Sequence, residues 1–247
     1  MLGCGYTGRR VAGRLIARGL RVTQIRRAQV DFTAPGALER LAALAEPDCV
    51  VLHSVPSLEA NADATLLQGL QGKARRVVYL STTGVYGDAH LVDETTPIAP
   101  RNAREQARAN TEAAVQSGTW SWLILRPAAI YGPDRGVHVS LAEGRYQLLG
   151  DGSNFISRIH VDDLAALAEA ALLSDLTGAY PAADLHPCPA REVAAYCSAK
   201  FGLPMPTSAA TSDVPATRRN NRRVDARATF AALGVEIQYP SYREGLG

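Results

Sequence analysis

Three glycines, spaced Gly3-x-Gly5-x-x-Gly8, open this chain, and a helical pattern follows them at once. Few folds accept a main chain that turns into a helix through such a loop. The missing side chains let the backbone approach a phosphate, which the N-terminus of the following helix then stabilises. Over residues 8–18, Val11, Leu15 and Ile16 recur at helical spacing with arginines between them. Residues 20–25 read as a strand and 29–32 as a short segment, and a helix is expected from Pro35, a residue tolerated in a first turn. Apolar runs at 49–52, 77–80 and 122–125 read as buried strands, with helical stretches at 57–70 and 102–116 between them. Strands separated by helices imply right-handed crossovers, hence an α/β fold: a Rossmann-type, doubly wound parallel sheet.

Only Met1 and Leu2 precede Gly3, where a central strand normally supplies several apolar residues. Either the natural start lies upstream, or the protein folds with a truncated central strand. Past Gly132 the pattern loosens into a loop-rich insert around 132–157. A helix opens again near Val161, and shorter elements with frequent prolines follow Gly178. The expected organisation is a Rossmann domain over 1–178 and a small C-terminal substrate lobe over 179–247, with the insert facing that lobe.

With 247 residues, 47% of them hydrophobic, the chain can bury a full core. A net charge of +2 is too mild to argue for nucleic acid or an anionic membrane as partner, and no apolar run approaches the roughly 20 residues that span a bilayer. Cys4, Cys49, Cys188 and Cys197 show no C-x-x-C spacing, which fits a reduced, cytoplasmic setting. His138, His160 and His186 lack partners at ligand spacing, so no metal site is expected. The partner class is a small molecule. Oligomeric state stays open, a homodimer included.

Gly3, Gly5, Tyr6, Thr7 and Gly8 thus form a candidate dinucleotide loop. Where an NAD-selective protein places Asp or Glu after its second strand, this chain has Arg26 and Arg27. Guanidinium groups there would pair with a 2′-phosphate, so NADP(H) is expected over NAD(H).

Further blocks carry a more specific resemblance. They are Ser81-Thr82-Thr83-Gly84-Val85-Tyr86-Gly87, then Leu125-Arg126-Pro127 with Ile130-Tyr131-Gly132-Pro133, then residues 159–164. Gly178-Ala179-Tyr180 and the closing Leu233-Gly234 and Tyr239-Pro240 stretches complete the set. In this order they cover almost the whole chain, which resembles an atypical extended short-chain dehydrogenase/reductase of the epimerase/dehydratase branch. The resemblance implies that Asp31 and Phe32 contact adenine and that His53 and Ser54 lie beside the nicotinamide ribose. It places the active-site Ser/Thr at Thr82. The usual tyrosine falls on Arg104 and its lysine partner on Arg108. In the family that lysine lowers the tyrosine's pKa so that the hydroxyl can exchange a proton with substrate, a part that a permanently charged guanidinium cannot play.

Two readings follow. One is a nonstandard NAD(P)-dependent oxidoreductase or epimerase, in which Thr82, Tyr86 or water supplies the proton and Arg104 with Arg108 clamps an anionic group. The other is a catalytically silent NADP(H)-binding sensor or partner-binding module. Tyr196-x-x-x-Lys200 matches the missing pair literally, but it lies beyond the sixth strand, in a helix expected to pack the lobe. The basic run over 218–223 is expected as a mostly solvated loop, in which one arginine can face an anionic ligand group, and Asp93-Glu94 as a loop-shaping pair.

Overall fold

In the computed structural model, which describes residues 1–56, 66–213 and 219–246, four parallel strands form the central sheet. They run β1 (Cys49–His53), β2 (Ala74–Leu80), β3 (Ser121–Pro127) and β4 (Gly178–Ala182), in that spatial order. Leu2 widens the sheet by one residue, bridging in parallel to His53 on one side and Ile25 on the other. The principal helices are α1 (Gly8–Ala17), α2 (Ala37–Leu44), α3 (Ala103–Gln116), α4 (Val161–Leu173), α5 (Ala190–Phe201) and α6 (Arg227–Leu233).

Alternation along the strands sends neighbouring residues to opposite faces. Val78 and Leu80 of β2 join Val11 and Leu15 of α1 and Leu164 and Leu167 of α4 in one core. Val77 and Tyr79 join Leu41 of α2 and Val115 of α3 in the other. A parallel sheet covered on both faces is why its strands read as continuous apolar runs. The doubly wound architecture is therefore the observed one.

Several expected elements differ. Residues 20–25 make no strand beyond a single bridge, that of Ile25 with Leu2. The helix expected from Pro35 begins at Ala37, with Gly36 in the left-handed region (φ 73°) as its N-cap. Of the stretch 57–70, residues 57–65 lie outside the described residues, and Leu67–Leu70 is a 3-10 turn. The expected division at 178/179 runs through β4, which pairs with β3 along its length. Downstream, Phe230 of α6 packs into the sheet core and Thr229 donates to the Pro181 carbonyl at 2.6 Å. A separate small core gathers Tyr131 and Leu141 from the insert with Val193, Cys197 and Tyr242 from the tail. The lobe is thus assembled from two stretches of chain.

Asp184 follows β4 into this junction. It is 1% exposed, its Oδ1 accepts from the His186 amide at 3.1 Å, and burial pushes its pKa up to about 7 from 3.8. An unfolded chain releases this proton near pH 4, whereas the native state holds it to about pH 7. Between those values the native state binds more protons, so stability falls as pH rises through that window and levels off above it. Asp184→Asn should melt higher than wild type above pH 7, with the gap closing towards pH 4. Parallel curves of Tm against pH for the two proteins would contradict this.

Candidate active site and cofactor loop

The glycine loop owes its shape to close backbone packing. Gly3 has φ +78°, and a Cβ there would lie 3.1 Å from the Ser54 and Val55 main chain. A Cβ at Gly8 would lie 2.6 Å from the Gly3 carbonyl oxygen, whereas one at Gly5 would meet nothing within 4 Å. The loop is closed on its protein side and open at Gly5, the arrangement a pyrophosphate needs. Ser54 Oγ donates to the Leu2 and Gly3 carbonyls (3.2 and 2.5 Å), so it holds the loop in place. Thr7 is buried at the start of α1. The Tyr6 ring lies 4.2 Å from the Arg10 guanidinium and 5.8 Å from that of Arg135.

At the outer end, Arg26 is exposed and donates to Gln24 Oε1 at 2.8 Å. Arg27 pairs with Asp31 Oδ2 at 3.4 Å. Asp31 Oδ1 accepts from the amide and hydroxyl of Thr33, and these bonds, ahead of Arg27, hold its carboxyl below the usual range. Phe32 packs partly buried against the core of α2. His53 is buried at the end of β1 and stacks on Tyr79 at 4.8 Å.

Beyond the C-terminal ends of β2 and β3 lies a cleft of about 1140 Å³. Thr82, Arg104 and Arg108 all line it, so the structure brings these three expected residues together. Thr82 caps the turn Thr83–Tyr86, and its Oγ1 accepts from the Gly84 amide at 3.2 Å, leaving its own proton free to be donated. α3 starts with a side-chain cap: Asn102 Oδ1 accepts from the Glu105 amide, while Glu105 Oε2 accepts from the amide of Arg101, the residue before the cap. Arg104, Arg108 and Glu112 follow at i, i+4 and i+8 and share one helix face. Arg104 is exposed in the cleft. Arg108 is half-buried and donates to the Tyr79 hydroxyl at 2.7 Å and to the Val55 carbonyl at 3.2 Å, which ties α3 to the loop after β1.

Tyr86 is placed otherwise. It is 1% exposed, lies outside the cleft lining, and its hydroxyl accepts from Arg126 at 3.2 Å. Burial raises its pKa. That position places Tyr86 in the packed support behind the cleft. Behind it, the Glu112 carboxylate takes two bonds from Arg126 (3.1 and 2.8 Å) and one from Ser81 Oγ (2.5 Å).

Sequence reasoning missed Arg222. The run over 218–223 was expected to be mostly solvated, and Arg218 lies outside the described residues. Arg222 is 4% exposed and donates to the carbonyls of Thr83, Gly87 and Ala89. Arg223 lies 3.5 Å from the centre of the Phe155 ring. A charged run carries no sign of which member turns inward; the nearest signal was the adjoining Val224, which is buried. Tyr196 and Lys200 sit on α5 outside the cleft lining, 3.4 Å apart, with Tyr196 packed edge-on against Tyr242. His186, Cys188 and Glu192 converge within 4.8 Å among the described residues. Glu192 Oε1 already accepts from Tyr242 and Arg243 and meets His186, while burial pushes the Cys188 thiol up to about 11, so hydrogen bonding accounts for the cluster.

A glycine loop at the head of a doubly wound sheet, joined to a Thr82 cleft at the strand ends, defines a Rossmann protein of the extended short-chain dehydrogenase/reductase type. The model of the NAD dependent epimerase/dehydratase family matches residues 2–180, and the chain belongs to that family. It is accordingly an NAD(P)-binding protein of that class. A conserved protein of unknown function from Silicibacter pomeroyi is 31% identical, with a TM-score of 0.77 over 99% of this chain and 95% of that one. The human epimerase family protein SDR39U1, solved with NADPH, shares the fold at 18% identity (TM-score 0.78, 98% and 94% of the two chains). A Streptomyces 3-diazoavenalumate denitrifying reductase is 30% identical over 180 residues, 64% of this chain. This chain thus spans only 58% of that relative's length. Among the described residues no helix is long and apolar enough to cross a membrane.

Arg222→Ala removes the side-chain donor from three carbonyls, two of them on buried Thr83 and Gly87 and one on half-buried Ala89, and should cost about 2–4 kcal/mol in denaturant unfolding. Arg223→Ala, which loses a half-buried contact with the Phe155 ring, should cost under about 1 kcal/mol. Equal stability for Arg222→Ala and wild type would contradict the placement of Arg222.

Proposed function

We propose that this protein is an NADP(H)-dependent oxidoreductase or epimerase of nonstandard type that acts on an anionic small molecule. The observation that carries the reading is the cleft itself. Exposed Arg104 and half-buried Arg108 stand where the family's proton-exchanging pair is expected, and Thr82 lines the same cleft.

The glycine loop fits a pyrophosphate at its open Gly5 edge, and Arg26 and Arg27 suit a 2′-phosphate beside it. When bound, the nicotinamide cofactor supplies or accepts a hydride. The chain's own residues then have three tasks. Arg104 holds an anionic group of the ligand with its planar guanidinium. Arg108, anchored on Tyr79 and Val55, fixes the α3 face against the loop after β1. Thr82 offers its hydroxyl proton to a ligand oxygen and orients it. None of the three is a strong acid at neutral pH, so any proton a reaction needs comes through Thr82 or from water. The 3-diazoavenalumate denitrifying reductase supports the reading: its name describes a reductase acting on an anion that bears a diazo group. Intact Thr82 geometry favours an enzyme over a silent sensor.

Fluorescence titration checks the cofactor half. NADPH should bind at least about tenfold more tightly than NADH, the worth of one charge-assisted pair. Arg26→Ala with Arg27→Ala should erase that preference while leaving NADH affinity nearly unchanged. Equal affinities in the wild type would contradict it. A following screen for NADPH oxidation across anionic and neutral carbonyl compounds separates turnover from silent binding.

A further inference from the structure

We infer that Arg135 is an outer clamp for the cofactor, its guanidinium pairing with the diphosphate beside the glycine loop. The diphosphate is common to NAD(H) and NADP(H), so this role is independent of any contact that Arg26 and Arg27 make with a 2′-phosphate.

The fold delivers Arg135 to that place. A short strand, Ala129–Tyr131, pairs in parallel with Arg158–His160, and α4 starts at the next residue, Val161. Leu164 and Leu167 of α4 share one core with Val11 and Leu15 of α1, and Arg10 Nε donates to Asp162 Oδ1 at 2.9 Å. The chain leaving Tyr131 therefore emerges at the head of α1. There it turns at once: the Gly132 amide donates to the Arg135 carbonyl at 2.8 Å, and the Arg135 amide to the Gly132 carbonyl at 3.1 Å. A Cβ at position 132 would lie 2.5 Å from the Tyr6 hydroxyl oxygen, so glycine lets the turn pack on the cofactor loop. Arg9 of α1 meets Asp134 at 3.9 Å, and the Arg135 guanidinium lies 5.8 Å from the centre of the Tyr6 ring.

Three arginines surround Tyr6, and their commitments differ. Arg10 is bonded to Asp162 and to the Tyr6 carbonyl, each at 2.9 Å. Arg9 has Asp134. Arg135 is exposed and makes no ion pair among the described residues. Its ring contact is near the limit of about 6 Å for a cation–π interaction and is weak at an exposed site, so a phosphate displaces it readily. Arg135 also lines the cleft in which Thr82 and Arg104 stand. A cofactor with its diphosphate at the open Gly5 edge and its nicotinamide half directed into that cleft crosses from one place to the other, and Arg135 borders both. A planar guanidinium at this crossing matches two phosphate oxygens at once.

The test is isothermal titration of the full chain with NADPH, NADH and ADP-ribose, all of which carry the diphosphate. Arg135→Ala should weaken all three by about tenfold while leaving the NADPH-to-NADH ratio and the ligand-free Tm unchanged. Arg135→Lys, which keeps the charge without the planar fork, should recover part of the loss. Unchanged affinity for ADP-ribose in Arg135→Ala would overturn the assignment and leave Arg135 to the ligand in the cleft. A loss confined to NADPH would overturn it too, because the 2′-phosphate would then be the partner. So would a lowered ligand-free Tm with no recovery in Arg135→Lys, which marks a packing residue. A wild type that binds none of the three removes the assignment together with the cofactor. Equal wild-type affinities for NADPH and NADH contradict the proposed NADP(H) preference alone, since ADP-ribose lacks the 2′-phosphate and still decides the role of Arg135.

Discussion

Glu112 and Arg126 meet in the interior beneath the cleft floor, at 1% and 7% exposure, through two hydrogen bonds. Removing two charges from water costs several kcal/mol per ion, and such a pair is tolerable only when its remaining atoms are satisfied. Here Ser81 Oγ donates to the carboxylate and the Tyr86 hydroxyl accepts from the guanidinium. Ser81 precedes Thr82 and Arg126 is the last residue but one of β3, while Glu112 belongs to α3. The network therefore locks one rotation of α3 against two strand ends. Because Arg104 and Arg108 lie on the same helix face as Glu112, that lock determines which side chains reach the cleft with Thr82.

A second constraint reaches the same loop from the distant tail. Arg222 bonds the carbonyls of Thr83, Gly87 and Ala89, its own amide donates to the Phe155 carbonyl, and the Arg223 amide donates to that of His90. The loop after β2 is thus held from below by the Glu112 network and from the side by the lobe. Lobe and sheet are structurally interdependent, which is why a division at 178/179 is blurred by β4 and α6.

Much of this frame was legible in the sequence. The spacing of Gly3, Gly5 and Gly8, the apolar runs of β1 to β3 and the helix ending near Gln116 carry local signals that tertiary packing reinforced. The strand expected at 20–25 is reduced to one bridge between Ile25 and Leu2, because strand pairing depends on a distant partner that local pattern does not report. Tyr86 resembled a cleft residue by its place in a motif, yet burial against Arg126 is a three-dimensional fact with no periodic trace. Arg222 hid for the converse reason. Patterning treats an arginine as surface, and only the carbonyls of a segment more than 130 residues away turn it inward. Ser54 was read as a ribose neighbour; its hydroxyl holds the Gly3 carbonyl.

On the reading proposed above, two arginines stand where a tyrosine–lysine pair is expected, which changes what one helix face can do while its support from Glu112 and Arg126 stays in place. An ionised tyrosine passes protons; a guanidinium holds charge. A crystal structure of the NADPH complex tests this account most directly. It should place the 2′-phosphate between the Arg26 and Arg27 side chains, with Arg104 beside the nicotinamide pocket and making no bond to the cofactor. A 2′-phosphate remote from both arginines, or an Arg104 bonded to the cofactor's own phosphates, would contradict it.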